Sequence, residues 1–106
     1  MKIKTKEDLY CITLPIIRGL EERNENPDEI KKLKCQVSLL GLMLEAGKVS
    51  PQDVSKELKK MFEPDILKEG AKICSLERDE ISKDFLELDE LIVSGVCDLD
   101  NFENTV

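Results

Sequence analysis

The chain of 106 residues contains no histidine and no tryptophan, and it lacks both a glycine-rich phosphate loop and a closely spaced cysteine pair. Most catalytic and metal-binding constellations need at least one of these parts. No nucleophile and base can be assembled around a histidine, and no cofactor motif is present. We therefore predict that the protein is not an enzyme and has no catalytic residues, no cofactor and no metal site.

Long apolar runs are absent as well. No stretch approaches the roughly 18 consecutive apolar residues that a membrane span needs. The lysine-rich N-terminus is followed by Glu7 and Asp8 rather than by an apolar run, so it does not have the pattern of a signal peptide. We predict no membrane association and a cytoplasmic location.

The four cysteines are isolated from one another in the sequence, and each stands among apolar residues. Such cysteines in a cytosolic protein are typical of buried free thiols, which act as small hydrophobic side chains. A disulfide pair is one alternative, and a four-cysteine zinc site is another, although zinc ligands usually come in close pairs. The cysteines are Cys11, Cys35, Cys74 and Cys97.

Helix signals fill most of the chain. Asn26-Pro27-Asp28-Glu29 and Ser50-Pro51-Gln52-Asp53 each combine a capping residue, a proline at the first helical position and an acid at the third. Apolar residues then recur at spacings of three and four. The predicted helices span 6–23 with a kink or division at Pro15, 27–46, the segment from Pro51 to the interruption at Pro64, 65–74, and 76–94 capped by Ser75.

These helices predict an all-α fold, a compact bundle of four or five helices with a short acidic C-terminal tail. Residues 1–95 would form a single helical domain, and residues 96–106 would form the tail. The helix of residues 27–46 is apolar over more than half its circumference in its second half, so we predict that it is the central helix with Leu40 buried.

The acidity of the chain is confined to its last third. Residues 1–75 are close to neutral, whereas residues 76–106 contain ten acids and two bases, a net charge of -8. Such a surface repels polyanions and attracts basic proteins. Glu80, Asp84 and Glu87 would share one face of a helix, and we predict that they contact a partner, although an ordinary solvated face has the same pattern.

The predicted tail alternates apolar and acidic residues. Its apolar side chains either fold back over the bundle or dock into a groove of a partner whose basic rim selects the acids. We include four residues of this tail in the predicted partner-binding set: Asp98, Leu99, Asp100 and Phe102.

Residues 50–73 offer a second interpretation, because a helix, a short turn and another helix weakly resemble a helix-turn-helix DNA reader. Val54, Ser55 and Leu58 occupy the apolar, small and apolar positions of such a motif. The expected glycine is missing from the turn, and the second helix would carry more acids than bases. Direct nucleic-acid binding is therefore disfavoured.

The sequence leads to one principal functional hypothesis and one alternative. The first is a small acidic protein-interaction module, an adaptor, inhibitor or regulator that binds a basic or nucleic-acid-binding protein through its C-terminal third. The alternative is a small transcriptional regulator that uses residues 50–73. The apolar crowding of residues 39–44 also allows a homo-oligomer.

Overall fold

The computed structural model describes residues 2–97 and consists of five α-helices joined by short connections. The described part contains no β-strand. Its radius of gyration of 12.8 Å is close to the ~13 Å expected of a compact domain of this length. The predicted all-α bundle is confirmed. The helices are α1 (Lys6–Glu22), α2 (Pro27–Glu45), α3 (Pro51–Met61), α4 (Pro64–Ser82) and α5 (Phe85–Val93).

The starts of α1, α2 and α3 follow the capping signals, whereas α4 and α5 begin without a side-chain cap. Thr5 and Ser50 each form a capping box, in which the hydroxyl accepts a backbone hydrogen bond from the acid three residues on and that acid accepts one in return. The side chain of Asn26 accepts from the backbone N–H of Asp28 at 2.9 Å. Proline occupies the first position of α2, α3 and α4, where no hydrogen bond is lost.

The central helix is α1, so the prediction that α2 takes this place is wrong. Helix α1 packs against α4, α2 and α5, and its Leu9, Tyr10 and Ile17 are fully buried. Leu40 on α2 is only partly buried. The apolar pattern of α2 is wide because one part of it faces α1 and another lines a groove, which a count of apolar residues does not distinguish.

Helix α1 also continues through Pro15 instead of dividing there. Proline at this position removes one hydrogen bond, to the carbonyl of Cys11. The hydroxyl of Thr13 donates to the carbonyl of Leu9 at 2.8 Å, so it bonds back along the same helix and does not cap a new one.

The predicted boundary between the fourth and fifth helices is displaced. Helix α4 continues through Ser75, whose hydroxyl donates to the carbonyl of Ala71, and it bends at Glu77, where φ is -127° and ψ is 24°. The chain leaves the helix only after Ser82, and α5 begins at Phe85. The long helix predicted over residues 76–94 is therefore two helices.

Helices α1 and α4 approach closely at Gly70. A Cβ atom at this position would lie 2.5 Å from the carbonyl oxygen of Ile12 and 2.9 Å from Cδ1 of Ile16. Both distances are shorter than an ordinary van der Waals contact. Glycine is thus required here by the neighbouring helix and not by a turn.

Two disulfide bonds connect the bundle, so the prediction of free thiols is wrong. Cys11 on α1 is bonded to Cys74 on α4, with Cα atoms 5.2 Å apart, and Cys35 on α2 is bonded to Cys97, with Cα atoms 5.7 Å apart. All four cysteines are buried, as predicted. The pairing joins residues 63 and 62 positions apart, and only the packing of the helices brings them together.

Candidate functional site

The outer face of α5, defined here as Leu86, Glu90 and Val93, places two exposed apolar residues on one side of a helix in the last third of the described chain. Leu86 is 63% exposed and Val93 85% exposed, and their spacing of seven residues places them on the same side of the helix. The opposite side carries Leu88, which is fully buried. Packing against α2 and α1 therefore directs the outer face to solvent.

The three predicted acids of the C-terminal third do not share a helix face. Glu80 lies on α4, Asp84 lies in the junction between α4 and α5, and Glu87 lies on α5. The prediction of a common face is wrong because the helix ends at Ser82, and the spacings of four and three residues cross that end.

Each of these acids has a basic neighbour within the chain. Asp84 pairs with Arg18 of α1, Glu80 lies 3.2 Å from Lys83, and Glu87 lies 3.6 Å from Lys34 of α2. The carboxylates of Glu80 and Glu87 are more than half exposed, so these pairs contribute little stability and exchange easily for other partners. In contrast, Glu90 has no ion pair with another residue of the described range 2–97.

The four predicted tail residues, Asp98, Leu99, Asp100 and Phe102, lie outside the described residues. The two residues that precede them are described. Val96 is 45% exposed, whereas Cys97 is buried and attached to α2 through its disulfide bond. The chain therefore leaves the described part from a point fixed on α2.

The segment of residues 50–73 forms two helices, and the exposed face of the second helix carries acids beside its bases. Asp65 and Glu69 are exposed there together with Lys68 and Lys72. Helix α4 packs along α1 through Leu67, Gly70 and Cys74, which are buried. Val54 and Leu58 of α3 are fully buried, as the motif expects. An ordinary helical hairpin has the same two buried positions.

Basic residues from two distant parts of the chain meet beside α3. Lys2 and Lys4 flank the buried Ile3, and they line a shallow concavity together with Lys56 and Lys59. No local pattern in the sequence indicates this cluster, because its two halves are about fifty residues apart. Lys60 faces away from it and lies 3.3 Å from Glu57.

A polar cluster joins α1, α2 and α5 at one end of the bundle. The hydroxyl of Tyr10 donates to Oδ1 of Asp89 at 2.8 Å, and the ammonium of Lys6 lies 3.2 Å from Asp89 and 2.9 Å from Glu45. Gly41 allows the approach of the Tyr10 ring, since a Cβ there would lie 2.7 Å from its hydroxyl.

Burial and the neighbouring carboxylates shift two pKa values in this cluster. Burial raises the pKa of Tyr10, and the hydrogen bond to Asp89 raises it further. Burial alone would lower the pKa of Lys6, but its hydrogen bonds to Glu45 and Asp89 outweigh that effect and raise it. Tyr10 is fully buried and its hydroxyl is satisfied, so the cluster is suited to holding three helices together and not to proton transfer with a substrate.

The α2–α3 groove is lined by five partly buried apolar residues. They are Leu39, Leu40, Met43, Val49 and Met61. Charged residues of α3 form one rim of the groove, and Gln36 of α2 lies on the other side. The groove arises because α2 and α3 touch only at a few positions.

No group of three or more Cys, Asp or Glu side chains within residues 2–97 is arranged to hold a metal ion. In the same range, no helix combines the length and the apolar character needed to cross a bilayer. Comparison of the chain with protein-family models, curated proteins and solved structures finds no match in any of the three.

Proposed function

We propose that this chain is a small, non-enzymatic protein-interaction module that binds a basic protein partner through its acidic C-terminal third. The outer face of α5 is the centre of the proposed surface. The observation that carries the proposal is the exposure of Leu86 and Val93 on one side of a helix whose neighbouring residues are acidic. Exposed apolar residues within a charged surround are typical of protein interfaces.

The apolar part of this surface is too small to bind alone. Burial of a leucine or valine side chain contributes roughly 1.5–3 kcal/mol, so Leu86 and Val93 together supply about 3–6 kcal/mol before the cost of association. Micromolar affinity corresponds to about 8 kcal/mol. Further contacts are needed, and charge is the available source.

The acidic surround selects the chemistry of the partner. Residues 76–97 contain seven acids and two bases. Glu90 lies between the two anchors, and the exposed Glu87 can exchange Lys34 for a base of the partner at little cost. A basic protein surface is attracted to this region, and the attraction accelerates association more than it slows dissociation.

The experiment uses the protein as bait in an extract of its native host, followed by measurement with each purified candidate partner. The double substitution Leu86→Ala and Val93→Ala removes both anchors, and Ile66→Ala, at the far end of α4, is the matched control. We expect a basic partner whose affinity falls at least tenfold with the double substitution and is unchanged with the control. Equal affinity for both variants would move the interface away from α5.

A second candidate function is the small transcriptional regulator, and the lysine cluster of Lys2, Lys4, Lys56 and Lys59 is the observation in its favour. Four lysines give only a weak, salt-sensitive affinity for phosphates, and the net charge of -7 opposes it. We expect no retardation of duplex DNA at moderate salt. One result would reverse the order of the two candidate functions. The protein would retard DNA, the double substitution Lys56→Ala and Lys59→Ala would abolish the retardation, and the control Lys31→Ala and Lys32→Ala would not.

The cytoplasmic location and the homo-oligomer stay predictions. The two disulfide bonds weigh against a cytoplasmic location, because cytosolic thiols are kept reduced. Thiol titration distinguishes a reducing from an oxidising compartment when the protein is isolated from its native source under acid quench. Four reactive thiols in the denatured protein would support the cytoplasm, and none would support an oxidising compartment.

A further inference from the structure

The α2–α3 groove is an apolar depression of about 480 Å³ that nothing in residues 2–97 fills. Its five apolar residues are all only partly buried, and three of them, Leu39, Leu40 and Met43, follow one another along α2. A depression of this size falls within the usual range for binding pockets. An occupant with apolar side chains would remove these residues from water.

The chain itself delivers a suitable segment to one end of the groove. Leu39 lines the groove and also packs against the cystine of Cys35 and Cys97. The described chain therefore ends next to Leu39. Cys35 and Leu39 are one turn apart on α2, about 6 Å along its axis, and Met43 lies about 12 Å from Cys35.

The apolar residues beyond Cys97 are spaced so that they can reach Leu39 and Met43. Leu99 can reach at most about 7 Å from Cys97, and Phe102 at most about 18 Å, in an extended chain. These lengths cover the distances along α2 to Leu39 and to Met43. Leu99 and Phe102 are the two large apolar side chains of residues 98–102.

Charge allows the same occupant, because the groove rim carries two bases beside its two acids. Residues 98–106 contain three acids and no base. Lys56 and Lys60 stand on the α3 rim of the groove, together with Asp53 and Glu57. The carboxylate of Asp53 is used by the backbone of Ser50 in the capping box, and Lys60 is 73% exposed in its pair with Glu57. Both lysines are thus available to an acidic segment.

We propose that the α2–α3 groove binds residues 98–106 of the same chain, with Leu99 and Phe102 on its apolar floor. Because the disulfide tethers the segment at the groove, its effective concentration is high and a weak contact suffices. Leu99 and Phe102 then act as intramolecular anchors, and the partner-binding surface is reduced to the outer face of α5. This inference is tested without any partner, so its failure is separate from that of the proposed function.

The first experiment uses the absence of tryptophan. The full-length variant Phe102→Trp contains one indole, whose emission reports its own environment. We expect blue-shifted emission and severalfold weaker quenching by acrylamide than for a free indole. Adding Met43→Glu should shift the emission to the red and restore quenching, whereas Leu86→Glu, on the outer face of α5, should change neither. Emission of a solvated indole, or emission that Met43→Glu leaves unchanged, would overturn the proposal.

The second experiment leaves the native side chains in place. A chain that stops after Cys97 keeps both disulfide bonds, and its methyl resonances can be compared with those of the full chain. We expect chemical-shift changes at Leu39, Met43 and Val49 and none at Ile66. The changes should be independent of protein concentration. Absence of changes in the groove would overturn the proposal, and changes that vanish on dilution would assign the groove to a second copy of the chain.

Discussion

The close approach of α1 and α4 at Gly70 makes a quantitative prediction about Gly70→Ala. Alanine is favoured over glycine inside a helix by about 1 kcal/mol. Its Cβ atom would lie 2.5 Å from the carbonyl oxygen of Ile12, so the two helices would have to separate by almost 1 Å. The nearby cystine of Cys11 and Cys74 resists that separation.

Overpacking of this kind costs about 1–3 kcal/mol, and a fixed backbone atom places the cost at the upper end. We expect a net loss of about 2 kcal/mol in the free energy of unfolding after the gain in helix propensity is subtracted. Urea denaturation followed by far-ultraviolet circular dichroism measures it, with an unchanged dependence on denaturant as the sign that the folded state is otherwise intact.

Gly19→Ala on α1 is the matched control. A Cβ at Gly19 would meet no atom within 4 Å, so only the propensity term remains, and we expect a gain of about 0.5–1 kcal/mol. Opposite signs for the two substitutions would confirm the reasoning. If Gly70→Ala were as stable as the unaltered chain, α1 and α4 would not be in close contact at Gly70.

Three further predictions concern stability. Replacing both Cys11 and Cys74 by serine should cost about 4 kcal/mol, because the bond closes a loop of roughly sixty residues in the unfolded chain, and thermal unfolding measures this loss. Tyr10→Phe should cost about 1–2 kcal/mol, since the carboxylate of Asp89 loses the hydrogen bond that the Tyr10 hydroxyl donates, and a neutral result in urea denaturation would contradict that bond. Partial burial alone would raise the pKa of Asp8, but hydrogen bonds from two backbone N–H groups and from the side chain of Arg78 lower it overall. The contribution of Asp8 to the free energy of unfolding is therefore complete above about pH 4 and is lost as the pH falls further. Asp8→Asn should remove this acid-dependent part of the stability, and urea midpoints that retain the full dependence on pH would refute the assignment.

The starts of α1, α2 and α3 could be predicted because each depends on residues within four positions of one another. Thr5, Asn26 and Ser50 satisfy backbone donors of their own helices, and no distant part of the chain is involved. The end of α4 is different. No proline or glycine marks residues 83 and 84, and the chain turns there as Ile81 and Leu88 both reach the common core.

The candidate site was predictable in its charge but not in its geometry. Composition alone located the acidity in the last third, whereas the exposure of Leu86 and Val93 depends on which side of α5 meets α2. The polar cluster of Lys6, Tyr10 and Asp89 likewise unites residues more than seventy positions apart. A linear sequence contains no local signal for such long-range contacts.

The two cystines have a topological consequence, because their loops interleave: the order along the chain is Cys11, Cys35, Cys74, Cys97, and the first bonds the third while the second bonds the fourth. A single backbone cut anywhere between Cys11 and Cys97 therefore leaves two fragments that are still covalently joined. The exposed connection at residues 23–26 is the kind of site that proteases attack first. A chain nicked there would migrate as one species without reductant and as two with it, so cleavage need not separate the N-terminal helix from the surface carried by α5.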